Sequence, residues 1–147
     1  MNLKIFTDGG SRGNPGNAGI GVVVYQVEDE TDFNDIFNFK TKYEFSGFIG
    51  TATNNEAEYK ALLKAIEWLS SNSEGVKSVD FYLDSKLVVE QINKNWKIKE
   101  ERLKKFAVEI WTNVSKFNFD IKFIHVRREK NKEADKLVNQ ALDAHQP

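Results

Sequence analysis

The sequence predicts an α/β domain: a five-stranded mixed sheet, three antiparallel strands followed by two parallel ones, flanked by helices. Three observations carry this expectation. Glycine-bounded runs rich in valine, isoleucine and aromatic residues occupy the chain as far as Ile49. Beyond them, strand patterns are followed by helical ones, which require crossovers and so a parallel arrangement. The length, 147 residues with 40% hydrophobic content, bounds the chain to one domain with a single good core.

Leu3 to Asp8 reads as the first strand and Ala18 to Val27 as the second. The acidic stretch EDETDFND, Glu28 to Asp35, is expected to be a solvated hairpin tip. Ile36 to Ile49 alternates as a third strand with an irregular stretch, completing an antiparallel meander. A helix follows over TNNEAEYKALLKAIEWLSSN, opened by a Thr53-x-x-Glu56 capping box or by Asn54 as the cap. Val79 to Asp84 is the fourth strand, and Ser85 caps a short helix over SKLVVEQI. Leu103, Phe106, Ala107, Ile110 and Val114 mark an amphipathic helix within KEERLKKFAVEIWTNVSKF. Phe119 to Val126 alternates as the fifth strand, and Asn131 to His145 closes the chain as a helix. The order is β-β-β-α-β-α-α-β-α.

Composition narrows the function classes. No apolar run approaches the roughly 20 residues that span a bilayer, and MNLKIF passes straight into a strand pattern, so no membrane contact and no signal peptide are expected. Cysteine is absent, which removes disulfides and thiolate metal sites and predicts a cytoplasmic protein. The net charge of −1 makes no general case for a polyanionic partner, but its distribution is uneven. Residues 1 to 85 hold 7 Lys and Arg against 13 Asp and Glu, whereas residues 86 to 147 hold 14 against 9. That asymmetry hints at one polyanion-facing side; folding that mixes the halves would erase it.

Four carboxylates stand out, two of them where simple structural roles explain them poorly. Asp8 and Asp84 each end a strand, where a turn or capping aspartate is common. Glu58 is different, because Leu62, Ala65 and Leu69 share its helix face and place it at the head of a buried stripe. An unpaired charge there is costly. Asp135 repeats the pattern, with Val138 and Leu142 on its face of the last helix. Two strand ends and two helix starts therefore aim four carboxylates at one spot, where they repel one another unless cations intervene. Oxygen ligands without cysteine suit a hard ion such as Mg²⁺ or Mn²⁺, and two such ions about 3.5–4 Å apart are a recurrent device for phosphodiester hydrolysis. Six of the nine glycines lie between Gly9 and Gly21, directly after Asp8. They are expected to form a loop that lets a backbone or a substrate's sugar-phosphate chain approach the metals. No Gly-Lys-Ser/Thr closes this loop, so it is not a nucleotide P-loop.

Four blocks give the chain its family resemblance: TDGGSRGNPG at 7–16, TNNEAEYKALLKAIE at 53–67, YLDSKLVVEQI at 82–92 and HVRREKNKEADKLVNQA at 125–141. They resemble ribonuclease H, type 1, in the family's order and over nearly the whole chain. The resemblance implies a ribonuclease H-like fold, cleavage of the RNA strand of an RNA–DNA hybrid to 5′-phosphate and 3′-hydroxyl products, and two Mg²⁺ ions, with Mn²⁺ a possible substitute. It places the metal-binding catalytic carboxylates at Asp8, Glu58, Asp84 and Asp135, and substrate contacts at Gly9, Gly10, Asn14, Thr53, Asn54, Asn55 and Arg127. It also offers His125 as an aid to proton transfer or product release, with Arg127 or Arg128 as alternatives, although His125 alternates with Ile121 and Phe123 as a strand residue would. Trp96 and Lys97 match the pair that opens the basic protrusion of many bacterial members, yet IKEERLKK leads directly into the next helix. Lys86 stands where a polar amide is common. No obligate protein partner is called for, so a monomer is expected. A non-cleaving nucleic-acid-binding module and a nuclease for another duplex, such as double-stranded RNA, remain the alternatives.

Overall fold

The structure, a computed structural model, describes residues 1–27 and 39–145. Its strands are β1 (Asn2–Gly13), β2 (Gly16–Val27), β3 (Lys40–Ala52), β4 (Ser78–Leu83) and β5 (Asp120–His125). Its helices are α1 (Asn54–Ser71), α2 (Lys86–Ile92), α3 (Glu101–Val114) and α4 (Lys132–His145). One sheet runs in the order β3-β2-β1-β4-β5, with the first three strands antiparallel and β1, β4 and β5 parallel. This is the predicted class and arrangement. The expected acidic hairpin tip and the first residues expected of the third strand, Ile36 to Asn38, lie outside the described residues.

Alternation across the strands sorts the core onto two faces. Leu3, Ile5, Val22, Val24, Val79, Phe81 and Leu83 point to the side covered by Tyr59, Leu62, Ala65, Ile66 and Leu69 of α1. Phe6, Val23, Tyr25 and Tyr82 point to the other side, where α4 supplies Ala134. Both faces of β1 and β2 are therefore buried, which is why they read as nearly continuous apolar runs. Register irregularities between β2 and β3, at Ala18/Gly19 and Val24/Tyr25, give the third strand its expected uneven stretch.

The caps follow side-chain chemistry. Thr53 caps α1: its Oγ1 accepts from the Glu56 N–H at 3.1 Å, and Glu56 Oε1 accepts from the Thr53 N–H at 3.0 Å. Ser85 Oγ accepts from the Val88 N–H at the start of α2. Among the described residues no helix is long and apolar enough to cross a membrane.

One expectation is corrected. Asp8 does not end its strand, and the glycines after it do not form a loop. β1 continues to Gly13, paired residue for residue with β2 down to Gly13↔Gly16. What ends near Asp8 is the parallel pairing, whose last rung is Thr7↔Leu83. Helix packing explains the glycine run. A Cβ on Gly9 would lie 2.2 Å from the Ala57 carbonyl oxygen of α1, and one on Gly21 would lie 2.3 Å from the Ala134 carbonyl oxygen of α4. These two positions let α1, which carries Glu58, and α4, which carries Asp135, settle directly onto the strands. At Gly10 the nearest atom to an added Cβ is 3.7 Å away, so packing does not demand glycine there.

Gly21→Ala is therefore expected to destabilise the fold by about 1–3 kcal/mol, the usual range for overpacking, whereas Gly10→Ala should stay near wild type. Urea denaturation of the two variants checks this, and equal midpoints would contradict the packing account.

Candidate active site

β1 and β4 part company after Thr7 and Leu83, and a cleft of about 530 Å³ opens beyond that point. It lies where ligands bind in open α/β sheets, outside the carboxyl ends of strands. Asp8, Glu58, Asp84 and Asp135 all line it. One oxygen from each of Asp8, Glu58 and Asp84 lies within 4.8 Å of the others. Asp135, in the first turn of α4, stands outside that trio, but its charge acts on both Asp8 and Asp84.

Glu58 is the most constrained of the four. It is buried in α1, and its Oε1 accepts from the Gly9 N–H at 2.6 Å. Its Oε2 is buried with no partner. Burial, then contact with Asp8, then the charge of Asp84 push its pKa well above the ordinary carboxylate range, against the opposing Gly9 hydrogen bond. Asp8 is pushed up to about 7, first by burial and then by Asp84 and Asp135, while its hydrogen-bonding contact with Glu58 works the other way. Asp84 is also raised, by burial first and by Asp135; contact with Asn131 and the charge of Arg128 partly offset this. In the absence of a cation, protonation relieves the repulsion among these carboxylates.

That is the condition a hard divalent cation relieves. A buried, unpartnered Glu58 oxygen beside two more carboxylate oxygens forms a hard, anionic donor set of the kind Mg²⁺ or Mn²⁺ accepts. Asp8, Glu58 and Asp84 would hold such an ion, with Asp135 within reach of the same cleft.

The expected substrate contacts divide into two groups. Gly9, Gly10, Asn54 and Asn55 line the cleft. Asn14 and Thr53 hold its rim: Asn14 Oδ1 accepts from the Asn54 N–H at 3.0 Å, and Thr53 caps α1. Asn54 Oδ1 in turn accepts from the Ser11 N–H at 2.9 Å. Arg12 pairs with Asp143 at 2.7 Å and so ties the β1–β2 hairpin to α4. His125 is the last residue of β5, opposite Leu83, and is exposed; neither it nor Arg127 is among the residues lining the cleft. Arg128 is among them. Sequence reasoning assigned no role to Asn131, a buried residue whose Nδ2 donates to the Thr7 carbonyl at 2.9 Å. Nothing in its local pattern separates it from an ordinary residue before a helix.

The raised carboxylates set a pH dependence. Asp8 titrates near 3.8 when unfolded and about 7 when folded, so the native state binds its proton more tightly. Its contribution to stability is present below the unfolded value and is lost as pH rises through 7. Metal-free protein should therefore lose on the order of a few kcal/mol of stability between pH 4 and pH 8, and Asp8→Asn should flatten that slope. Thermal melts across pH in EDTA check this, and parallel wild-type and variant curves would contradict it.

The sequence matches the family described as reverse transcriptase-like over residues 6–141. A bifunctional protein of Mycobacterium tuberculosis is 39% identical over 144 residues, covering 98% of this chain and 36% of its own length. The chain thus spans about a third of the first curated relatives it matches. The crystal structure of RNase H1 from Halobacterium salinarum superposes with a TM-score of 0.85 at 33% identity, covering 98% of this chain and 99% of that one. LC11-RNase H1, solved in complex with an RNA/DNA hybrid, superposes at 0.83 with 40% identity and 97% coverage of both chains. With this sheet order and this carboxylate cluster beyond the parallel strand ends, the chain belongs to the ribonuclease H family, type 1.

Proposed function

We propose that this chain is a metal-dependent endoribonuclease that hydrolyses the RNA strand of RNA–DNA hybrids, leaving 5′-phosphate and 3′-hydroxyl ends. The observation that carries the reading is the buried, mutually repelling carboxylate cluster at the parting of β1 and β4. The 40% identical relative solved with an RNA/DNA hybrid supports the substrate class.

Two Mg²⁺ ions, replaceable by Mn²⁺, are the cofactors that suit this donor set, and Asp8, Glu58, Asp84 and Asp135 would hold them. Such ions, when bound, would supply a readily deprotonated water and neutralise charge on a leaving 3′-oxygen. The chain's own part is placement. Gly9 tethers Glu58, the deepest carboxylate, by donating its N–H to Oε1. Asp84 and Asp135, each partly exposed, face the substrate side of the cleft. Gly10, Asn54 and Asn55 offer it a low wall past which a sugar-phosphate backbone can run. Arg128, lining the cleft, provides a cation for a phosphate, a role that fits it better than Arg127 or His125. The segment between α2 and α3 contains no helix, but Trp96 is 44% exposed there, with the Lys86 ammonium 5.9 Å from its ring centre. With Lys94, Lys97 and Lys99 it forms a short basic stretch suited to phosphate contacts. The protein is expected to act as a monomer.

End-labelled RNA–DNA hybrid, double-stranded RNA and double-stranded DNA, each incubated with protein and Mg²⁺ or Mn²⁺, test the reading. Only the hybrid should be cut, and only its RNA strand. Asp84→Asn should lower the rate about 100-fold or more without lowering the melting temperature. Cleavage of another duplex, or full activity in that variant, would overturn the assignment.

A further inference from the structure

β1 runs unbroken from Asn2 to Gly13, paired residue for residue with β2. Alternation along it puts Asp8, Gly10 and Arg12 on one face, and all three line the cleft. Arg12 stands about 13 Å beyond Asp8 along the extended strand. Its backbone is anchored, because the neighbouring Ser11 N–H donates to Asn54 Oδ1 of α1 at 2.9 Å. Between the carboxylate and the arginine lies Gly10, where packing does not demand glycine: an added Cβ would meet nothing closer than Val138 Cγ1 at 3.7 Å. The missing side chain does leave a shallow passage from Asp8 to Arg12, in the part of the cleft that Val138, Asn139 and Leu142 of α4 also line.

Among the described residues, two cationic side chains line the cleft: Arg128, whose charge acts on Asp84, and Arg12. The guanidinium of Arg12 is held but not used up. Its Nη2 donates to Asp143 Oδ1 at 2.7 Å and to Asn139 Oδ1 at 3.3 Å, both on α4. Nε and Nη1 have no hydrogen-bond partner among the described residues, so most of the guanidinium's donors stay available. Their planar fork matches a phosphate. The pair with Asp143 is itself open to solvent, at 37% and 68% side-chain exposure, and such pairs contribute little to stability. Clasping the hairpin to α4 is therefore a poor account of a cation kept in an otherwise anionic cleft.

We infer that Arg12 binds a backbone phosphate of the RNA strand, one that lies past the reacting phosphate along Gly10, and that Asp143 is the counter-ion it leaves when substrate arrives. The inference rests on the proposed function for the identity of that strand.

Binding of an RNA–DNA hybrid, followed by fluorescence anisotropy across salt concentrations in the Asp84→Asn background, tests it. Arg12→Ala should weaken binding about fivefold or more near 0.1 M salt, and should reduce the slope of log affinity against log salt by about 0.7–0.9, the loss of one phosphate contact. Arg12→Gln, which keeps the bulk of the side chain, should do the same, and both should melt with their parent. Asp143→Asn should instead tighten binding about twofold, and that gain should vanish when Arg12 is also replaced by alanine. A neutral methylphosphonate moved one linkage at a time along the RNA strand should weaken binding at one linkage that the Arg12→Ala variant no longer senses. Equal weakening by Arg12→Ala and Asp143→Asn would make the pair a clasp and overturn the inference. So would an unchanged salt slope, or methylphosphonate interference confined to the DNA strand. Should protein with Asp84 intact bind the hybrid but leave it uncut, the proposed function fails, and the salt slopes and linkage positions still decide the role of Arg12.

Discussion

Three carboxylates crowded at the parting of β1 and β4 are the constraint around which the rest of the molecule is arranged. Glu58 is the extreme case, buried in the first stretch of α1 with a single backbone donor from Gly9. Such a group is tolerated only while it is protonated or compensated. The glycine at 9 allows α1 to approach closely enough for that hydrogen bond, and the glycine at 21 lets α4 bring Asp135 against the same end of the sheet. The stable core beneath, with α1 on one face and α4 on the other, holds the charges at a separation they would not choose.

The cleft is held from several sides. The β1–β2 hairpin extends past the sheet's parallel portion and is fastened to α1 through Asn14, Ser11 and Asn54, and to α4 through Arg12 and Asp143. The exposed ion pair contributes little by itself; the backbone-to-amide hydrogen bonds give the rim its shape. The walls of the cleft are thus built from elements distant in sequence, and a nucleic-acid backbone entering it would meet a surface formed before it arrives.

Much of this was legible in the sequence, and the reasons can be stated. Glu58 and Asp135 betray themselves because an acid aligned with leucines or valines on a helix breaks a pattern that packing enforces. The parallel half of the sheet follows from strand and helix patterns that alternate along the chain, and β5 ends at His125, as its alternation with Ile121 and Phe123 suggested. The length of β1 was not legible. A run of glycines reads as a turn when only local propensity is weighed, whereas here close approach of α1 and α4 selects two of them. Asn131 was hidden for a related cause: its partner is 124 residues away, and nothing in its neighbours announces a long-range hydrogen bond. The choice of Thr53 over Asn54 as the cap likewise needed the geometry, since both residues have the chemistry.

The central claim is that these carboxylates share protons until a cation displaces them. It is tested most directly by calorimetric titration of the protein with Mn²⁺ near pH 6.5 in two buffers of different ionisation enthalpy. Because Asp8 is pushed up to about 7 and burial holds Glu58 well above the ordinary carboxylate range, binding is predicted to release protons. The observed heat should then depend on the buffer. Binding with the same heat in both buffers would mean that the carboxylates are already ionised in the metal-free protein, and the account would be wrong.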